Sequence, residues 1–188
     1  METVDIPHLA GHSLEMGLFI DVKNAAFLRQ QLLSGNQDFE YAFLDASVLL
    51  TRNHILAACW RAIVDLNLDR LRSKNVHSEI VFSLSTNNNI AESFRKFGVQ
   101  DETKNLVVIK VIPFKDSQEI IANVRKHITS AVEGEVTPVK DEALARCNDA
   151  AKLRKAYKLE SPKKGTDETL WRQEAESFAI GSMALKGS

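Results

Sequence analysis

The chain has 188 residues, of which 44% are hydrophobic and 26% are charged, and its formal net charge is −1. This balance is typical of one folded domain with a buried core, and it argues against a protein that binds nucleic acid through an overall positive charge. Two cysteines provide no disulfide framework. Without an apolar run long enough to span a membrane or a signal-peptide pattern, the sequence leads us to expect a protein of the cytoplasm and nucleus.

Strands and helices alternate in the first part of the chain. Residues 1–13 show little periodicity and are expected to form a loose or edge segment, and residues 13–21 are predicted to form a strand. Residues 22–35 have the apolar spacing of a helix that ends at Gly35. Residues 39–50 are apolar and aromatic, which predicts a strand or a buried extended segment.

A long helix is predicted after Thr51, which is a good N-cap residue. Its apolar stripe includes Cys59, which favours a small core residue at that position over a nucleophile. Residues 69–75 are the densest basic cluster of the chain, and residues 78–85 are predicted to form the next strand. The basic cluster has two interpretations, a solvated loop or a contact to a phosphate backbone.

Three successive asparagines, Asn87 to Asn89, precede a predicted helix that Gly98 is expected to end in the left-handed conformation. Residues 85–87 are predicted to cap this helix. One cap is enough for a helix, so the other side-chain amides are free to bind a ligand, because each amide has both a donor and an acceptor.

The rest of the chain completes an α/β pattern. Its elements are predicted in this order: strand 105–112, helix 116–132, turn with a short extended piece 134–142, helix 141–159, loop 160–168 and helix 167–187. We therefore predict a small mixed sheet of about four strands flanked by helices, with an α-helical C-terminal part. A single domain is expected over residues 1–188, with a C-terminal helix (167–186) that packs on it and offers a face to a partner, because this helix is apolar on all sides.

No catalytic or cofactor motif is present. The sequence lacks the glycine-rich phosphate loops, the GxSxG turn and HExxH, and its histidines have no paired ligand spacing, so we predict no enzyme, cofactor or metal site. A small enzyme that uses Cys59 or Cys147 is the alternative. Glu79 has two interpretations. It pairs with Arg70 or Arg72 and braces the basic loop, which consists of residues 69–75, or it is an exposed charge.

Two stretches carry a resemblance to a known family. They are FLDASVLLTRNHILAACWRAI (43–63) and RLRSKNVHSEIVFSLSTNNNIAESFRKFGV (70–99). The pattern is a basic loop, Ser-Glu opening an apolar segment, a Ser-x-x-Asn-Asn-Ile helix start and a Phe-Gly helix stop, with DVKNA (21–25) and KAYKL (155–159) as further landmarks. In these features the chain resembles the TPRKB-type family, the small kinase-binding subunits of the KEOPS (EKC) complex.

The resemblance implies a non-catalytic subunit of a complex that installs threonylcarbamoyl on the adenosine next to the tRNA anticodon. It implies direct binding to the kinase-like ATPase subunit, indirect association with other subunits including the threonylcarbamoyl transferase, and help in recruiting tRNA through its 3′ CCA end. A protein scaffold without RNA contact is a further alternative. The residues that the resemblance assigns to tRNA are Arg70, Arg72, Lys74, Glu79, Asn88, Asn89 and Ile90.

The resemblance places the kinase contact on the last helix, and wheel geometry divides that helix into two faces. The face predicted to bind the kinase consists of Leu170, Ile180, Met183 and Ala184. The face predicted to pack on the domain consists of Trp171, Phe178 and Leu185. The reverse arrangement, with Trp171 as the interface anchor, is the alternative, because aromatic residues are favoured in interface hot spots.

Overall fold

The structure is a computed structural model that describes residues 1–6, 8–9, 11–113, 118–160 and 167–186. The predicted loop over residues 160–168 lies mostly outside the described residues.

Five strands in the described part of the chain form one sheet, in which each pair is antiparallel. They are β1 (Glu2–Asp5), β2 (His12–Ile20), β3 (Ala42–Asp45), β4 (Leu106–Pro113) and β5 (Glu135–Thr137). β2 and β4 are neighbours in the centre, with Met16 opposite Ile109, and β3 lies beyond β4. β1 and β5 pair with opposite ends of β2. The predicted strands at 13–21 and 105–112 are confirmed, and the first residues form an edge strand.

Helices cover both faces of the sheet. They are α1 (Ala25–Leu33), α2 (Arg52–Asn67), α3 (Val76–Leu84), α4 (Ile90–Phe97), α5 (Gln118–Ala131), α6 (Asp141–Cys147), α7 (Ala150–Tyr157) and α8 (Glu168–Leu185). α1 and α5 share a core with one sheet face, while α2, α3 and α6 to α8 share a core with the other. The predicted α/β fold with a helical C-terminal part is confirmed.

The predicted strand over residues 78–85 is wrong, because the segment forms helix α3. α3 is buried on nearly all sides between the sheet and α2, so its sequence lacks the apolar and polar alternation that marks a surface helix. Its start is fixed by a capping box: the Asn75 side chain accepts from the Ser78 backbone N–H, and the Ser78 hydroxyl accepts from the Asn75 backbone N–H.

The predicted helix over residues 141–159 is two helices, separated at Asn148 and Asp149. The Asn148 amide donates to the backbone carbonyls of Ala46 and Leu49, at 3.2 and 2.8 Å. Asp149 caps α7 by accepting hydrogen bonds from two backbone N–H groups of its first turn. The helix can be interrupted here because these long-range hydrogen bonds compensate for the helical backbone hydrogen bonds that the break removes.

α8 lies over α2 and α3 along one buried stripe. Ala175, Ala179 and Met183 are buried, and they recur every four residues along one stripe of the helix. The Thr51 hydroxyl, which caps α2, also donates to the Glu176 carboxylate at 2.6 Å. The last helix is therefore attached to the domain along its length.

Candidate functional site

Glu79 braces the basic loop from inside the protein. Its side chain is 1% exposed, and its Oε2 atom accepts from the backbone N–H groups of Arg72 (3.0 Å) and Ser73 (2.7 Å) and from the Ser73 hydroxyl (2.5 Å). The bracing interpretation is thus correct, but the carboxylate holds the backbone of the loop and forms no salt bridge with an arginine of the described chain. An RNA ligand cannot reach this carboxylate directly.

The three cations of the basic loop lie in different surroundings. Arg70 forms a salt bridge with Asp65 at 3.0 Å, whereas Arg72 and Lys74 are exposed and form no salt bridge with a described residue. Arg70 and Arg72 line a groove of about 740 Å³ between α2 and α8. Lys74 lines a different cavity. The structure therefore separates Lys74 from the two arginines.

The triple asparagine starts helix α4, but the predicted caps are wrong. Asn89 is the N-cap, and its side-chain oxygen accepts from the Glu92 backbone N–H at 2.9 Å. The Asn87 oxygen accepts from the backbone N–H of Asn89 and from the Ser85 hydroxyl. Asn88 is exposed and its side chain has no partner among the described residues, so its whole amide is available to a ligand.

Ile90 is also accessible, with 38% of its surface exposed. At the other end of α4, Gly98 has a φ of −80°, so the predicted left-handed helix stop is wrong. Glycine is needed there for another reason: a Cβ atom would lie 2.7 Å from the Phe94 carbonyl oxygen.

α3 separates the two groups of RNA-binding candidates. The basic loop precedes its first residue, and Asn88 follows its last residue by four positions. A helix of nine residues is about 13 Å long. The candidates therefore do not form one pocket, and contact with all of them requires an extended ligand.

The predicted division of α8 into faces is partly wrong. Met183 is 2% exposed and packs on the domain, while Phe178 and Leu185 are 51% and 73% exposed. Leu170 and Ala184 are exposed and Ile180 is half-buried. The packed stripe consists of two alanines and Met183, and the aromatic residue Phe178 lies outside it.

Trp60 is a candidate that the sequence analysis missed. It projects from α2 with 45% of its surface exposed and lines the α2–α8 groove together with Ile180 and Ala184. The sequence contained a signal for it, because Trp60 is a large aromatic residue that lies outside the buried stripe of α2. Such a residue is typical of an interface anchor.

The cysteines do not have the properties of nucleophiles. Complete burial raises the pKa of the Cys59 thiol to about 12, and burial also raises the pKa of Cys147. Both side chains are protonated at neutral pH, whereas the thiolate is the reactive form. Among the described residues, no group of three or more metal-binding side chains occurs and no helix is long and apolar enough to cross a membrane.

Comparison with known proteins identifies the family. Residues 19–187 match the family model described as kinase binding protein CGI-121. The chain belongs to the CGI-121 family. This assignment confirms the family that the basic loop and the asparagine cluster indicated.

Several CGI-121 relatives match the whole chain. The EKC/KEOPS complex subunit cgi121 of Aspergillus fumigatus is 48% identical and that of Aspergillus terreus is 47% identical, each match covering 100% of this chain and 97% of the relative. The EKC/KEOPS complex subunit CGI121 of Coccidioides immitis is 40% identical, with 100% of both chains covered.

Proposed function

We propose that this protein is a non-catalytic subunit of the KEOPS complex that binds the kinase-like ATPase subunit and helps to recruit tRNA by its 3′ CCA end. The observation that carries the proposal is the α2–α8 groove, where an apolar edge and two arginines meet. The family name and the names of the relatives support membership of the complex and kinase binding.

The kinase-binding surface consists of the exposed edge of α8 and Trp60. Ile180 and Ala184 lie on one side of the buried stripe of α8, and Trp60 faces the same groove from α2. An aromatic anchor beside small apolar residues is typical of the centre of a protein interface. Phe178 and Leu185, on the other side of the stripe, form the second candidate surface because both are largely exposed.

The RNA-binding surface has two parts, the basic loop before α3 and the triple asparagine after it. Arg72 has no salt-bridge partner in the described chain, so it is available to a phosphate, and Asn88 offers both a donor and an acceptor to a base or sugar. Glu79 supports this surface indirectly, because it fixes the backbone of the loop that carries Arg72. The 3′ end of tRNA is single-stranded and can extend along such a surface.

The arginines and the kinase-binding edge line the same groove, so a bound kinase adjoins the RNA. Contact with the threonylcarbamoyl transferase subunit is indirect in this arrangement. The protein acts in the cytoplasm and nucleus as part of the assembled complex.

The test uses binding to the purified kinase subunit and to tRNA. Ala184→Glu places a charge in the apolar edge and is expected to weaken kinase binding at least about a hundredfold, while Ala122→Glu, on an exposed position of α5, leaves it unchanged. Phe178→Glu examines the second candidate surface. Unchanged kinase binding by Ala184→Glu, with an intact fold by circular dichroism, contradicts the groove assignment.

The test of RNA binding compares tRNA with and without its CCA end. Arg72→Glu is expected to weaken binding of intact tRNA about tenfold and to decrease its salt dependence, because one phosphate contact is lost. Lys126→Glu, an exposed change on α5, is the matched control. Equal binding of the two tRNAs by the wild-type protein removes the RNA half of the proposal and favours a protein scaffold.

A further inference from the structure

A second cavity, of about 450 Å³, lies beside β3 and has none of the lining residues of the α2–α8 groove. It is enclosed by the end of α1, the start of α3 and one side of α4. Much of its wall is apolar, with Leu32, Leu33, Phe39, Phe43, Val81 and Phe94. Its volume is within the range of pockets that hold small organic molecules, about 300 to 1,000 Å³.

The polar part of the wall is rich in cations. Arg29 is neutralised by a salt bridge with Asp101 at 3.0 Å. Lys74 and Arg95 are exposed on the wall, and neither forms a salt bridge with a described residue. An apolar cavity with two such cations is complementary to an anion that has an apolar body.

The wall also contains one carboxylate, Glu40, to which the Asn75 amide donates at 3.0 Å. Its negative charge opposes an anion, so the anionic group is placed at Lys74 and Arg95. His77 accepts from the Val111 backbone N–H through Nε2, at 3.1 Å, so the proton of its neutral ring is on Nδ1. That buried Nδ1 has no partner among the described residues, and an additional acceptor near it is stabilising.

We propose that this cavity binds a small amphipathic anion, an organic molecule with a ring-sized apolar body and one carboxylate, phosphate or sulfonate group. The body lies against the apolar wall, and the anionic group lies between Lys74 and Arg95. This site goes beyond the proposed function, because it requires neither the kinase nor tRNA. Only Lys74 belongs both to the cavity and to the predicted tRNA-binding residues.

The test uses the dye 8-anilinonaphthalene-1-sulfonate, which has an aromatic body and one anionic group, with the full chain. Saturable binding at one site is expected from the dye fluorescence. Ala91→Trp, at an exposed position of α4 on the cavity wall, fills the cavity and abolishes binding, while Lys74→Glu or Arg95→Glu weakens it about tenfold. Ala122→Trp and Lys126→Glu, both on α5, are the matched controls and leave binding unchanged.

A second measurement does not depend on the variants being folded. The dye is expected to shift the backbone amide resonances of Gly35, Lys74 and Arg95 in the wild-type protein. The neutral dye N-phenyl-1-naphthylamine is expected to bind about tenfold more weakly, because it lacks the anionic group.

Three results of the dye titrations overturn the proposal, and a fourth comes from competition with tRNA. The first three are unsaturable dye binding, saturable binding that Ala91→Trp leaves unchanged, and equal affinity for the two dyes. If tRNA displaces the dye, the cavity belongs to the RNA-binding surface, and the proposal of an independent ligand site is wrong. Dye binding by Ala184→Glu distinguishes this site from the kinase interface, because that variant is expected to retain the cavity.

Discussion

Three adjacent asparagines have three different environments, although they have the same side chain. The Asn87 oxygen accepts hydrogen bonds from its own turn, and the Asn89 oxygen caps α4. Asn88 forms no hydrogen bond with a described residue. One asparagine is therefore free for a ligand, while its neighbours fix the backbone that presents it.

This difference predicts separate effects of two alanine substitutions. Asn89→Ala removes a helix cap and is expected to decrease the free energy of unfolding by about 1 kcal/mol. Asn88→Ala is expected to change it by less than about 0.5 kcal/mol but to weaken tRNA binding. Urea denaturation and tRNA titration of the two variants measure both quantities. A larger loss of stability for Asn88→Ala contradicts the assignment of the cap.

At the scale of elements, the end of α8 is fixed by side chains from its neighbours. The Arg61 guanidinium, from α2, donates to the backbone carbonyls of Met183 and Lys186. The Lys186 ammonium donates to the Phe82 carbonyl of α3, and burial lowers the pKa of Lys186 to about 7. The last carbonyls of a helix have no donors within the helix, and Arg61 supplies these hydrogen-bond donors.

Loss of this contact is expected to loosen one end of α8. Arg61→Met keeps much of the apolar stem but removes the donors, and we expect the free energy of unfolding to fall by about 1–3 kcal/mol. Hydrogen exchange is expected to accelerate at residues 182–186. Arg146→Met, at an exposed position of α6, is the control. Unchanged exchange in the last turn of α8 contradicts the role of Arg61.

At the scale of the whole molecule, two buried histidines connect the layers. His54 of α2 lies 3.3 Å from the Tyr157 hydroxyl of α7, and His77 of α3 accepts from the backbone of β4. Burial lowers the pKa of His54 to about 4, and burial together with Lys110 lowers the pKa of His77 to about 3. The folded protein thus keeps both rings neutral at a pH where exposed histidines become charged.

This arrangement predicts that stability decreases in mild acid. Between pH 6.5 and about 4 the unfolded chain binds protons at both positions and the folded chain does not, so protonation favours unfolding. The contribution of the two neutral rings to the free energy of unfolding is fully present above pH 6.5. Below pH 6.5 it falls by about 1.4 kcal/mol per pH unit for each histidine. Urea denaturation between pH 7 and pH 5 measures a loss of about 4 kcal/mol in total.

Two variants separate the buried histidines from other acid-sensitive groups. His54→Gln is expected to reduce the pH dependence by about half, since one of two titrating rings is lost. His8→Gln is the control, because His8 is exposed. If the free energy of unfolding of His54→Gln depends on pH as steeply as that of the wild-type protein, His54 is not the source of the acid sensitivity.

The sequence by itself determined the features that depend on neighbouring residues. The central strand β4 has a β-branched run that is apolar on both sides, and Thr51 caps α2 as its position before an apolar helix predicts. The basic loop and the asparagine cluster were sufficient for the family. These signals are local, so no knowledge of distant contacts is needed to interpret them.

The tertiary structure alone decided the features that depend on distant residues. α3 is enclosed by the sheet and α2. A segment that is apolar on all sides has no period that distinguishes a helix from a strand, so only the packed protein shows that it is a helix. Ala175, Ala179 and Met183 form the packed stripe of α8, and Trp171, Phe178 and Leu185 do not, because only the packed protein defines which side of α8 meets α2 and α3. The separation of Lys74 from Arg72 likewise follows from how Glu79 folds the loop between them, which only the packed protein defines.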